Sequence, residues 1–144
     1  MILGIPLLWC CAMNSSQQNA QKKILIVDDD PDVLAMLKLL LEELGYKVYR
    51  ARSGPYALAM ARKYRPDLMT LDILMPGMNG FSVCQKIKND HELRDIKIVV
   101  LSAKGYAADE RDMLALGADA YMFKPVDAEV LIGQIRRLIG RGTS

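Results

Sequence analysis

Residues 24–27, Ile-Leu-Ile-Val, are apolar without alternation. A strand apolar on both faces must be covered on both, which is the condition of a central strand in a parallel sheet. The run stops at Asp28-Asp29-Asp30-Pro31. Asp30 before Pro31 predicts a helix start, with an N-cap followed by proline at the first helical position. Leu34, Leu37, Leu41 and Leu44 then recur on one helical face, and Gly45 stops the helix.

The pattern continues along the chain. A second strand over residues 46–51 carries Lys47 and Arg50, charges that suit a sheet edge. Ser53-Gly54-Pro55 opens a second helix, which must end before Pro66. A third strand over 68–72 delivers the carboxylate of Asp72, and a Pro- and Gly-containing loop over 75–80 follows. Phe81, Cys84 and Ile87 mark the buried stripe of a third helix. A polar connection over 89–95 leads to a fourth strand, 96–101, which ends in Ser102-Ala103. A weakly patterned fourth helix spans about 107–116. The fifth strand, 120–123, ends at Lys124-Pro125. The fifth helix starts near Asp127, with Ala128, Leu131, Ile135 and Leu138 predicted to face the core. Strands alternating with helices predict an α/β fold, a doubly wound five-stranded parallel sheet flanked by five helices, joined by right-handed crossovers.

At 51% hydrophobic residues the chain can bury a core, and 144 residues suit one domain. Its 19 basic and 17 acidic residues leave +2, which argues for neither nucleic acid nor an anionic membrane as partner. Cys10, Cys11 and Cys84 form neither a disulfide framework nor a metal-ligand spacing. A cytoplasmic location is expected. Residues 1–21 contain no charged side chain. Their apolar part is too short for a membrane span and lacks the basic start of a signal peptide. A disordered leader, or a start-site artefact ahead of a natural start at Met13, is expected there; a weakly membrane-associating tail is the alternative. The folded domain is expected over 22–141, with a tail at 142–144.

Ligands of open parallel sheets gather at the carboxyl ends of the strands. Four strands here end in useful groups: Asp28 and Asp29, then Asp72, Ser102 and Lys124. Three carboxylates and one ammonium leave −2. Two like charges about 4 Å apart repel by roughly 4 kcal/mol at a surface-like dielectric. Such a cluster must raise a pKa or bind a cation. A hard divalent ion fits, Mg²⁺ first and Mn²⁺ as an alternative. A carboxylate can serve as nucleophile towards phosphorus, so Asp72 is the candidate phosphoryl acceptor.

The segments ILIVDDDPDV, PDLMTLDILMPGMNG, IVVLSAKG and GADAYMFKP resemble the receiver domain of bacterial two-component response regulators. The resemblance implies a flavodoxin-like sheet in the order 2-1-3-4-5. It implies that a histidine kinase or histidine phosphotransfer protein phosphorylates Asp72. Asp28, Asp29, Asp72 and the backbone carbonyl of Leu74 would hold the metal, and Ser102 and Lys124 would bind the phosphoryl group. Tyr121 matches the switch aromatic that follows Ser102, and the face of helix 4, strand 5 and helix 5 would then engage a downstream protein or a second copy of the chain. Leu74 and Lys104 occupy positions that tune hydrolysis, and an apolar Leu74 implies a persistent phosphoryl group.

Plainer readings stand beside these. Asp30 and Asp32 suit helix capping and the helix dipole. His91 lies in a polar connection and reads as surface. Arg136 and Arg137 read as a solvated helix face. The competing function is an aspartate-nucleophile phosphatase using Asp28 and Asp30, against which Pro31 follows at once. A flavodoxin-like nucleotide binder would need a Ser/Thr/Gly-rich loop where Asp28-Asp29-Asp30 stands.

Overall fold

The computed structural model describes residues 21–103 and 107–142. Residues 1–20 and Lys104 lie outside the described residues, so the expectations for the leader and for Lys104 fall outside them as well.

Five strands and five helices alternate. They are β1 (Lys23–Val27), α1 (Pro31–Glu43), β2 (Lys47–Ala51), α2 (Gly54–Tyr64), β3 (Leu68–Asp72), α3 (Gly80–Lys88), β4 (Lys97–Ser102), α4 (Ala107–Ala115), β5 (Ala120–Phe123) and α5 (Ala128–Ile139). All pairings are parallel, in the order β2-β1-β3-β4-β5. The edge position read from Lys47 and Arg50 belongs to β2, and both residues are exposed.

The apolar strands feed two cores. Leu25, Val27, Met69, Leu71, Ile98 and Val100 pack on one face against residues of α2, α3 and α4. Ile24, Ile26, Leu68, Val99 and Leu101 pack on the other against α1 and α5. Successive strand residues point to opposite faces, so an unbroken apolar run serves both cores at once.

Local signals set the helix starts. Asp30, Ser53, Asn79 and Asp127 are N-caps whose side chains accept backbone N–H groups, and proline stands in the first turn of α1 and α2. Gly45 takes φ +92 after α1, a conformation few side chains adopt. Two predicted core positions are corrected. Ala128 is exposed at the first helical position of α5, ahead of the residues that pack; Leu131 and Ile135 are the residues that α5 buries. Phe81 is only half-buried, and Val83 joins Cys84 and Ile87 as the buried set of α3. The fourth strand begins at Lys97, one residue later than expected, and includes Ser102.

Among the described residues no helix is long and apolar enough to cross a membrane.

Candidate acceptor site at the strand ends

Strand register brings the carboxylates together. Val27 pairs with Leu71, so continuing by one residue sets Asp28 beside Asp72. Asp72 pairs with Leu101, which puts Ser102 one step further out, and Ser102 pairs with Phe123 next to Lys124. The last residues of β3 and β4 and the residues just after β1 and β5 thus share one mouth, the place where open parallel sheets hold ligands.

The site is largely buried. Asp28 is 3% exposed, Asp72 6% and Ser102 1%, while Asp29 is half-buried. Asp28, Asp29 and Asp72 each offer a carboxylate oxygen, and these atoms lie within 4.8 Å of one another. The donor set is hard oxygen throughout, which suits Mg²⁺ or Mn²⁺ and not a thiolate- or imidazole-seeking metal. Lys124 Nζ donates to Asp28 Oδ2 at 2.6 Å and stands 3.8 Å from Asp72 Oδ2. Asp28 Oδ1 also accepts from the backbone N–H of Asp30 at 2.9 Å. Asp72 Oδ1 accepts a long contact of 3.4 Å from the Leu74 N–H.

Electrostatics follow this arrangement. Burial pushes the Asp72 carboxyl up to about 6, the charge of Asp28 adds to the rise, and Lys124 and the Leu74 N–H oppose it. Burial alone would lower Lys124. The hydrogen bond to Asp28 and the charges of Asp28, Asp72 and Asp29 outweigh it and leave the pKa raised. Lys124 therefore stays an ammonium, and burial holds the Asp72 carboxyl above its ordinary value.

Asp28, Asp29, Asp72, Ser102 and Lys124 meet at this edge. Lys124 follows β5, and its backbone N–H donates to the Ser102 carbonyl at 2.7 Å. The Lys124–Pro125 peptide is cis. Leu74 is 52% exposed at the rim. The Tyr121 ring packs against the core, and its hydroxyl is buried with no hydrogen bond of normal geometry among the described residues. Burial raises its pKa, and the nearby Ser102 side chain opposes that rise. Asp30, the general acid of the phosphatase alternative, is exposed, and its Oδ1 caps α1 by accepting from Asp32 N–H. Its carboxylate is not among the three that converge.

One supporting residue was missed. A Cβ on Gly80 would meet the Asp72 carbonyl at 2.7 Å and Ile73 Cα at 2.8 Å. The Gly80 N–H donates to the Ile73 carbonyl at 2.8 Å. The start of α3 is thus pressed against the backbone of the acceptor. The glycine in the loop after the third strand was the available signal, but it read only as a turn.

The fold and site define a class: a doubly wound parallel domain with an acid pocket at its strand ends and a lysine across it. The chain matches the response regulator receiver domain over residues 24–136 and belongs to that family, which serves two-component signalling. It is 38% identical over 119 residues to the DNA-binding dual master transcriptional regulator RpaA of Synechocystis sp., covering 83% of this chain and 49% of that protein. It is 36% identical over 117 residues to Protein PilH of Pseudomonas aeruginosa, covering 81% of this chain and 97% of that one. The solved structure of chemotaxis protein CheY4 of Vibrio cholerae superposes with a TM-score of 0.79 at 30% identity, covering 83% of this chain and 100% of that chain. The chain spans about half the length of RpaA and 26% of the response regulator PleD of Caulobacter vibrioides.

Proposed function

We propose that this chain is a phosphoacceptor switch in which Asp72 receives a phosphoryl group from a phosphohistidine donor, a sensor histidine kinase or a histidine phosphotransfer protein. The observation that carries the reading is the position of Asp72, a buried carboxylate at a strand mouth between the Asp28-Asp29 pair and Lys124. An Asp72 oxygen attacks phosphorus, the P–O bond forms as the donor P–N bond breaks, and the leaving imidazole takes up a proton. Lys124 Nζ and the Ser102 hydroxyl bind the phosphoryl oxygens.

Asp28, Asp29, Asp72 and the backbone carbonyl of Leu74 would hold Mg²⁺, with Mn²⁺ as a substitute. When bound, the ion supplies positive charge that offsets the acid cluster and the incoming phosphoryl group. The chain's own residues do the positioning: Asp28 fixes Lys124, and the Leu74 N–H orients Asp72.

The switch reading runs from Ser102 to Tyr121 and then to the face of α4, β5 and α5. Leu114, Phe123 and Val130 are exposed apolar side chains on those elements, which suits a protein contact with a downstream target or a second copy of the chain. Moving such a face from 1:99 to 99:1 takes about 5.5 kcal/mol of differential stabilisation. The reading includes a cytoplasmic location, where a free thiol such as Cys84 stays reduced. No nucleic-acid or membrane partner forms part of it.

The test is phosphotransfer from a panel of purified, radiolabelled histidine kinases. At least one should transfer label to the wild-type chain with Mg²⁺ and none to Asp72→Asn. Equal labelling of the variant would overturn the reading.

A further inference from the structure

Beside the acid cluster lies a cleft of about 440 Å³ lined by Pro31, Leu34, Arg50, Arg52, Ser53 and Tyr56. α1 supplies Pro31 and Leu34, the edge strand β2 supplies Arg50, and the connection into α2 supplies the rest. Its volume lies within the roughly 300–1,000 Å³ usual for small-molecule sites.

The chemistry of the lining is one-sided. It holds two guanidinium groups and no carboxylate. Neither Arg50 nor Arg52 has a side-chain ion pair or hydrogen bond among the described residues. At the far end of α2, by contrast, Arg62 lies 3.9 Å from Asp90, and Arg65 pairs with Glu92. Asp29 and Asp30 precede Pro31 in the chain, yet neither lines the cleft. Leu34 gives an apolar floor, and the Tyr56 ring, 55% exposed, offers a face. Arg52 and Ser53 also line the neighbouring depression that contains Asp29 and Pro76, so the cleft adjoins the acceptor mouth without sharing its acids.

Guanidinium forks match phosphate oxygens, and an aromatic face accepts a planar ring. We infer that this cleft binds a small organic phosphate with a planar body, of the nucleoside monophosphate class. Its phosphate sits between Arg50 and Arg52, and its ring lies against Tyr56 and Leu34. The site is separate from Asp72 and does not depend on phosphorylation.

The test is a ¹⁵N-amide NMR titration of the full chain without Mg²⁺, using AMP, with adenosine and inorganic phosphate as comparators. AMP should give saturable shifts at the amides of Leu34, Arg50, Arg52, Ser53 and Tyr56, with a Kd below about 1 mM. Arg50→Glu and Arg52→Glu, both at exposed positions, should each weaken binding about tenfold or more, and Arg52→Lys should retain part of it. Tyr56→Ala should remove the preference for AMP over inorganic phosphate. Asp72→Asn should bind AMP as wild type does; loss there would put the ligand in the acceptor pocket and overturn the assignment. No saturation by about 10 mM would also overturn it, as would equal affinity for inorganic phosphate. So would a poly-glutamate peptide that shifts these amides when AMP does not, since the surface would then take an acidic protein segment.

Discussion

Lys124 gives its short contact, 2.6 Å, to Asp28 and stands 3.8 Å from Asp72. The lysine is anchored by the acid that the proposed chemistry does not consume. Asp72 accepts a long backbone contact and lies in the field of that ammonium.

The raised pKa of Asp72 has a stability consequence in the metal-free protein. The folded chain holds this proton up to about 6, against an ordinary value of 3.8. The folded state therefore binds more protons than the unfolded state between these values. The stabilisation is complete below the unfolded value and is lost as pH rises through about 6. Asp72→Asn carries no such loss. Urea denaturation in EDTA should show the variant gaining on wild type from pH 4 to pH 8, by up to about 3 kcal/mol. A constant difference across that range would contradict burial as the cause.

A divalent cation should reverse that penalty. On the proposed reading Mg²⁺ is held only where the three carboxylates are assembled, so it should raise the midpoint of thermal unfolding. At one hundred times its Kd the gain is about 2.7 kcal/mol. Asp29→Asn should shrink the shift strongly. Thermal melts with and without Mg²⁺ check this, and an unchanged shift in Asp29→Asn would remove that residue from the ligand set.

Gly80→Ala should distort the acceptor loop. Its Cβ would meet backbone at 2.7 Å, and backbone cannot swing aside as a flexible side chain can. Overpacking of this kind costs about 1–3 kcal/mol. Denaturation should show that loss, and labelling by acetyl phosphate should slow. Unchanged stability and labelling would show that α3 can shift without moving Asp72.

Tyr46 links the end of α5 to the opposite edge of the sheet. The ring is buried, and its hydroxyl donates to the Gly140 carbonyl at 2.7 Å. Tyr46→Phe should cost about 1 kcal/mol. Faster amide exchange near Gly140 would accompany that loss.

Much of this was legible in the residues. The unbroken apolar run 24–27 and the largely apolar run 68–71 announced strands covered on both faces, and the polar group closing each run announced the site edge. The N-caps at Asp30, Ser53 and Asp127 were readable because capping is local chemistry. Strand order was not; it came with the family resemblance, since alternation fits several winding orders. The pairing of Lys124 with Asp28 over Asp72 was also hidden, because it depends on tertiary distances of about an ångström. Gly80 was missed for a related reason: its role is a close approach between two backbones, and sequence shows only that a glycine is there. Ala128 misled because small apolar residues fit a helix start as readily as a core face.

Tandem mass spectrometry of the full chain after incubation with acetyl phosphate and Mg²⁺ tests the central claim most directly. A single phosphoryl group on Asp72, absent without Mg²⁺ and absent in Asp72→Asn, is the expected result. A phosphoryl group on Asp28, or one that survives Asp72→Asn, would contradict it.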